Sequence, residues 1–252
     1  MLIGKAGSAS TAISTADASS VTVRGRDLCG DLMGRVSFTD YFHLLVTGRE
    51  PTATQRFFLD LLLVAIAEHG LVPTNQAARM TYAADPGVLQ AAVAAGILGC
   101  GSVVLGTAEA CGRFLADARS REMRAHVAAI RAGGGKVPGF GHPLHKPLDP
   151  RAQRIMALAE ERGAAGEYCG LAREAERVVP EVWGKLLPMN VSMPIAAVLL
   201  DLDFPPAILK GVPILARTAS LLAHLAEESA NPIGFLMAAR AEEAITYRPD
   251  DA

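Results

Sequence analysis

The sequence predicts an all-α protein, for three reasons. Half of the 252 residues are hydrophobic but only 5% are aromatic. Alanine and leucine dominate the apolar fraction, and glycine or proline divides the chain into a succession of helix-length segments. These features are typical of closely packed helices rather than of a β-sandwich. At this length the chain can bury a sizeable core, in one domain or in two unequal lobes.

A short extended segment precedes the helices. Residues 1–20 are rich in serine, alanine and glycine. Residues 21–26 alternate apolar and polar side chains until Gly25 breaks the pattern, which predicts a strand or an extended arm.

Glycine, proline or a capping residue then marks the helix ends. Gly48 closes the first helix, Gly70 closes an amphipathic second one, and Pro73 opens the third. The predicted helices are 37–47, 54–69, 73–84, one from about 86, 108–118, 121–132, 151–162, 166–177, 180–187, two after the break at 188–190, and a long one opened by Pro213.

One uncharged run, residues 86–108, is long enough to raise the question of a membrane span. It contains five glycines, and its centre is rich in alanine. We interpret it as a buried helix that approaches another helix closely, for example at a dimer interface. Membrane insertion is the alternative.

Charge and cysteine content narrow the class of protein. The net charge of −2 gives no electrostatic reason to expect nucleic acid or a membrane as a partner. The four cysteines are far apart and form no CxxC pair, so neither a metal site nor a disulfide framework is predicted. The N-terminus lacks the apolar stretch of a secretory signal, which predicts a reduced, cytoplasmic protein.

The most informative segment is the loop 138–151, Pro-Gly-Phe-Gly-His-Pro-Leu-His-Lys-Pro-Leu-Asp-Pro-Arg. Its glycines and prolines fix an irregular backbone around His142. Asp149 reads as the N-cap of a helix that carries Arg151 in its first turn. A histidine and an arginine held together suit an anionic substrate whose oxygen gains or loses a proton. The alternative is an exposed turn with incidental basic residues.

A glycine triplet precedes this loop and leads to Lys136. It is similar to a phosphate-binding fragment, but its spacing is not that of a P-loop, and a simple hinge is the alternative. A phosphate of coenzyme A or of a nucleotide near Lys136 is compatible with this pattern.

Residues 138–142 with 149–151 resemble the signature loop of the citrate synthase family. The similarity continues in the family's order through 23–28, 44–51, 68–79, 91–101, 190–191 and 216–218. The chain is shorter than a full citrate synthase and closer in length to the short members called citryl-CoA lyases. The resemblance implies an all-α, two-lobed homodimer, with residues 1–103 and 204–252 in a large lobe and 104–203 in a small inserted lobe.

The resemblance also assigns residues to a site. His69 and His142 match the histidines that hold oxaloacetate, and Arg151 and Arg217 match arginines that bind its carboxylates. The segment expected to bind coenzyme A consists of Lys136, Val137, Pro138 and Gly139. His145 has no counterpart in this set and is expected at the surface.

Two positions depart from the family pattern. The histidine that stabilises the thioester enol is replaced by Val104, and the catalytic aspartate by Ser192. Valine cannot donate a hydrogen bond, and serine without a base cannot remove a carbon-bound proton. These losses argue against efficient citrate synthesis. Cleavage begins instead with the loss of a hydroxyl proton, which His142 is expected to accept as general base.

The predicted function is therefore citryl-CoA lyase-type cleavage, or the reverse condensation, of a CoA thioester of a tertiary hydroxy acid. The substrate is a small dicarboxylate or tricarboxylate, coenzyme A thioester is a co-substrate, and no permanently bound cofactor is expected. One alternative is a CoA-independent decarboxylase or tautomerase of an oxaloacetate-like acid. Another is a catalytically silent dicarboxylate-binding paralogue.

Overall fold

Helices dominate the computed structural model, which describes residues 9–142 and 144–249. The all-α prediction is confirmed: these residues form eleven α-helices and one small antiparallel sheet. The sheet contains β1 (Ser14–Ala16), β2 (Val21–Val23) and β3 (Arg26–Asp27). The helices are α1 (Phe38–Thr47), α2 (Ala53–Ala67), α3 (Pro73–Ala84), α4 (Leu89–Leu98), α5 (Thr107–Ala118), α6 (Met123–Ala132), α7 (Pro150–Glu161), α8 (Glu167–Trp183), α9 (Ser192–Asp201), α10 (Gly211–Ala230) and α11 (Gly234–Ala244).

The chain divides into two compact units between Asp60 and Leu61, within α2. The predicted large and small lobes, 1–103 with 204–252 and 104–203, stay a prediction. In the second unit, α3 packs against α4, α10 and α11, while α9 packs against α5, α7 and α8. Every predicted site residue belongs to this second unit, either on these helices or in the segments between them.

The first unit contains the predicted strand as β2, which pairs with β1 and with β3. Arg24 and Gly25 both have positive φ, as a two-residue type I′ hairpin turn requires. The start of the predicted extended arm, residues 1–8, lies outside the described residues. Helix α1 follows with the predicted ends, since Ser37 and Asp40 form a capping box and Gly48 adopts the left-handed conformation.

The apolar run 86–108 is not one long helix. Helix α4 covers only Leu89–Leu98, because the glycines that follow favour a turn over helix. Ten residues rise about 15 Å, half of the ~30 Å hydrocarbon core of a bilayer. The predicted close approach occurs within the chain: a Cβ on Gly96 would lie 2.6 Å from Leu221 Cδ2 of α10.

Three other expectations about helices need correction. The predicted helices 166–177 and 180–187 are a single helix, α8, with Pro180 inside it. Proline removes only one backbone donor, and the amphipathic pattern continues on both sides of it. Only one α-helix, α9, lies between the break at 188–190 and α10, and the second predicted element is the single 3₁₀ turn Pro206–Ile208. Helix α11 was not predicted.

By length and mean hydropathy, one stretch among the described residues, Pro206–Ala230, could cross a membrane. A buried core helix passes the same test. This stretch carries Arg217, which is 2% exposed within the unit. The burial of this charged side chain inside the protein agrees with a core helix.

Gly139 gives a test of how tightly the loop before α7 is packed. Its φ is +77°, and an added Cβ would lie 2.7 Å from Cys111 Sγ and 2.9 Å from Met193 Cβ. We expect Gly139→Ala to lower the free energy of unfolding by about 2–4 kcal/mol, through left-handed strain and overpacking. Urea unfolding measures this change.

Gly134→Ala is the matched control. Gly134 has φ +73°, but a Cβ there meets no atom within 4 Å, so only the backbone cost of roughly 1 kcal/mol applies. Equal losses in the two variants would contradict the close packing of Gly139.

Candidate functional site

Three imidazoles meet in the second unit. His69 lies between α2 and α3, and His142 and His145 lie in the loop between α6 and α7. The ring centroid of His69 is 5.4 Å from that of His142 and 5.5 Å from that of His145. The rings of His142 and His145 stack with their centroids 4.3 Å apart. All three side chains are half-buried. The expectation that His145 lies at the surface is therefore wrong.

The backbone fixes the tautomer of His142. The N–H groups of Leu144 and His145 both donate to His142 Nδ1, at 3.1 and 3.0 Å. A neutral imidazole has one acceptor nitrogen, so the proton of neutral His142 is assigned to Nε2. Burial lowers the pKa of His142, and a proton on the neighbouring His145 would lower it further, so His142 is neutral near pH 7. In this tautomer His142 donates a hydrogen bond from Nε2, which differs from the predicted role of general base.

The loop that carries His142 is hydrogen-bonded to the segment before α9. Gly141 N donates to Pro188 O, and Asn190 N donates to Gly139 O, both at 2.8 Å. The Asn190 side chain adds a bond from Nδ2 to Gly141 O at 3.0 Å. Asn190 therefore positions the loop, a role that sequence reasoning did not assign to it.

Asp149 and Arg151 form a buried pair at the start of α7. The Asp149 carboxylate is fully buried and accepts from Arg151 N, Nε and Nη2 at 3.0, 3.1 and 2.9 Å. It also accepts from Val191 N at 3.2 Å. Burial opposes ionisation, but the Arg151 bonds and charge outweigh it and hold the Asp149 pKa below its usual value. The predicted capping role of Asp149 is confirmed.

Arg217 is buried without a carboxylate partner. It is 2% exposed, and its Nη1 donates to Asn75 Oδ1 at 2.9 Å. Its Nε is buried and has no hydrogen-bond partner among the described residues, and no ion pair forms on it there. Burial lowers the pKa of this guanidinium. A buried charge without a counter-ion is costly, so this position favours an anionic ligand.

A polar network that sequence reasoning missed supports Arg217. Asn75 Nδ2 donates to Gly70 O at 2.7 Å and lies 2.8 Å from His224 Nε2. His224 Nε2 is also 3.1 Å from Glu68 Oε2, and Glu68 accepts from the Ser220 hydroxyl. The packing of α10 on α3 brings His224 to Asn75, a contact that sequence spacing cannot reveal.

The cluster is electrostatically suited to an anion. Burial is the largest cause that lowers the pKa of His69. The charges of Arg151 and of a protonated His145 lower it further, and Arg217 makes a smaller contribution. One ring nitrogen from each of the three histidines lies within 4.8 Å of the corresponding nitrogens of the other two. This spacing is also compatible with binding of a metal ion. However, backbone donors occupy His142 Nδ1, and the neighbouring guanidiniums repel cations. The arrangement therefore favours a carboxylate.

Val104 and Ser192, the two substituted catalytic positions, lie in other segments of the second unit. Val104 is in the irregular segment between α4 and α5, where Leu105 has φ +63°. Ser192 is the first residue of α9, and its N–H donates to Asn190 Oδ1 at 3.1 Å. Among the described residues, no hydrogen bond links either side chain to the three imidazoles.

A cavity of about 220 Å³ adjoins the loop. Its walls are mostly apolar, and a lysine contributes to it from each of two segments; the lining residues are Lys136, Val137, Phe140, Val179, Trp183, Lys185 and Leu187. Lys136 and Val137 belong to the segment predicted to bind coenzyme A. Pro138 and Gly139 are not among the lining residues, and Gly139 instead packs against Met193.

The Asp149 carboxylate gives a pH-dependent test of stability. Because its folded pKa lies below the reference value of 3.8, its stabilising contribution is complete above that pH and is lost as pH falls through the folded pKa. Asp149→Asn keeps an N-cap residue but removes the charge. We expect a loss of about 3 kcal/mol at pH 7 that shrinks below pH 4, measured by urea unfolding. A pH-independent loss would contradict the ion pair.

The His142 tautomer can be observed directly. In protein labelled with ¹⁵N at histidine, long-range ¹H–¹⁵N NMR at pH 7.5 should show His142 with its proton on Nε2 and an unprotonated Nδ1. The spectrum of His142→Gln assigns the signals. A proton on Nδ1 would refute the assignment.

Comparison with known proteins places this site in a family. The model of the citrate synthase C-terminal domain matches residues 49–237. Citrate synthase of Synechocystis sp. is 32% identical over 201 residues, which are 77% of this chain and 50% of that protein. The chain spans about half the length of the curated relatives it matches.

Solved structures share the fold over nearly the whole chain. Citryl-CoA lyase from Hydrogenobacter thermophilus aligns with a TM-score of 0.87 at 29% identity. The alignment covers 96% of this chain and 94% of the lyase chain. ATP citrate lyase from Methanothrix soehngenii, solved with citrate and coenzyme A, aligns with a TM-score of 0.81 at 20% identity. That alignment covers 98% of this chain and 42% of the ATP citrate lyase chain. With the family match over most of its length, this chain belongs to the citrate synthase family.

Proposed function

We propose that this protein cleaves the CoA thioester of a tertiary hydroxy acid, as a citryl-CoA lyase does, and releases an oxaloacetate-like keto acid. One observation carries the proposal. The buried guanidinium of Arg217 has no carboxylate partner among the described residues, and its charge acts on His69 in the imidazole cluster. A dicarboxylate is the ligand that completes such a site.

The two arginines suit the two ends of the substrate. Arg217 offers its free Nε, and Arg151, whose side chain is 20% exposed, keeps part of its guanidinium free of Asp149. Guanidinium forks bind carboxylates through paired hydrogen bonds. His142 Nε2–H is then the donor for the central oxygen, where it stabilises a hydroxyl, an alkoxide or the product carbonyl.

The cavity beside the loop suits the coenzyme. Lys136 and Lys185 supply positive charge for phosphates, and Trp183 and Phe140 supply aromatic surface for a base. Phe140 precedes His142 by two residues, so one rigid loop connects the cavity to the imidazole cluster. The ATP citrate lyase structure contains both citrate and coenzyme A, which supports the same pair of ligands here.

The substitutions favour cleavage over condensation. Condensation requires removal of a weakly acidic carbon-bound proton, and neither Val104 nor Ser192 can supply the base or the enol donor. Cleavage starts from a hydroxyl and needs no carbon acid. The missing donor still weakens stabilisation of the leaving enolate by about 3 kcal/mol, so we expect slow turnover. We extend the proposal to a homodimer, as the family resemblance implies, and to a cytoplasmic location, as the cysteine pattern predicts.

Arg217→Met tests the site by separating binding from stability. We expect this variant to lose oxaloacetate affinity by roughly 100-fold or more, because one carboxylate loses its guanidinium. Its thermal midpoint should stay constant or rise, since a buried uncompensated charge is replaced by an apolar side chain of similar volume. Arg154→Met is the control, because Arg154 lies on α7 but is 63% exposed. Calorimetry and thermal unfolding measure both effects.

Turnover of citryl-CoA by the wild-type protein, followed through oxaloacetate and acetyl-CoA release, tests the reaction. Binding of oxaloacetate without coenzyme A would instead favour a CoA-independent enzyme. Binding of both without turnover would indicate a silent paralogue. Absence of dicarboxylate binding would overturn the proposal.

A further inference from the structure

We propose that His145 is the general base of this site and takes the hydroxyl proton of the substrate. The inference rests on the proposed cleavage reaction and identifies the residue that starts it. Three imidazoles surround the site, and their hydrogen bonds and neighbours give them different roles.

His142 cannot serve as this base. Its one acceptor nitrogen, Nδ1, already receives the backbone N–H groups of Leu144 and His145. The nitrogen left for a ligand, Nε2, carries a proton, and a protonated nitrogen cannot accept another. His142 is therefore limited to donating a hydrogen bond to the substrate oxygen.

His69 is poorly suited to accept a proton. Burial and the charges of Arg151 and Arg217 disfavour its imidazolium form and outweigh the opposing charge of Asp149, so the pKa of His69 is lowered. A base beside two guanidiniums loses driving force at the moment it becomes charged. The same position suits a neutral group that binds the carboxylate held by those arginines.

His145 has the free nitrogen that the reaction requires. Its Nε2 is fully buried and has no hydrogen-bond partner among the described residues. A buried polar atom without a partner costs about 1–3 kcal/mol, which a ligand hydroxyl would recover. The stacked ring of His142, 4.3 Å away, sets the ring orientation and places donor and base side by side.

The surroundings of His145 also support a transient positive charge. The ionised Asp149 carboxylate interacts electrostatically with His145, although it is shared with Arg151. Asp149 acts on His69 and His142 as well, and the other charged groups that interact with the three rings are Arg151 and, at His69, Arg217. Asp149 is the only carboxylate in this set of described residues, so it offsets the charge that His145 gains.

The proposed step balances without another reactant. His145 Nε2 takes the hydroxyl proton, and the O–H electron pair becomes the second bond of the new carbonyl. The bond between the carbinol carbon and the α-carbon of the thioester breaks, and its electron pair forms the thioester enolate. The enolate then takes a proton from the His145 imidazolium or from water, which gives the acyl-CoA and restores neutral His145.

Two variants and chemical rescue test the inference in the full-length protein with citryl-CoA as substrate. We expect His145→Gln to lower kcat by about 10²–10⁴-fold, the usual contribution of a general base, with KM changed less than about threefold. In His145→Gly, added imidazole should restore part of the rate, and more basic substituted imidazoles should restore more. His126→Gln is the control: His126 also has a buried Nε2 without a partner among the described residues, but it stacks on Phe114.

The outcomes separate the two proposals. If wild-type protein cleaves citryl-CoA and folded His145→Gln keeps its kcat, the assignment of His145 is overturned and the proposed function stands. A change in KM alone, or rescue independent of imidazole basicity, also overturns the assignment, because either result indicates a packing role. If wild-type protein does not cleave the thioester, both proposals fail. Thermal unfolding shows which variants fold.

Discussion

The buried carboxylate of Asp149 is the interaction on which the candidate site depends. It caps α7, holds the Arg151 side chain and accepts from the backbone just before α9. A single charge therefore joins the histidine loop to two helices. Because the carboxylate is fully buried, its hydrogen bonds are stronger than they would be in water, and losing one partner would be costly. This arrangement anchors the C-terminal end of the histidine loop to α7 and to the segment before α9.

The second constraint is an excess of positive charge that the described part of the chain does not neutralise. Arg151 shares Asp149, whereas the one hydrogen-bond partner of Arg217 among the described residues is the Asn75 amide oxygen. Such a site reduces the stability of the empty protein in return for affinity toward an anion. The neutral imidazoles of His69 and His142 lie beside these cations, and burial together with the charge of Arg151 lowers the pKa of both. Binding a dicarboxylate would thus stabilise the fold as well as fill the site.

Local sequence determined most of the helices and several site residues. Serine, proline and glycine at segment ends predicted α1 and α3 closely, because caps act through neighbouring backbone groups. The same local chemistry identified Asp149 as the cap that orients Arg151. The end of α4 follows a local signal, the glycines after Leu98, whereas a local rule failed in α8, which continues through Pro180.

The sequence by itself determined an all-α chain with a histidine loop and arginines suited to an anion. Only the tertiary structure decided how these groups differ, because tautomers, burial and ion pairing depend on contacts between distant segments. In the folded chain His69 lies next to His142, and Arg217 has no carboxylate partner among the described residues. His145, which was expected at the surface, stacks on His142 within the cluster. Sequence spacing cannot show which histidine nitrogen already has a hydrogen bond. That detail distinguishes His142, the donor, from His145, the proposed base.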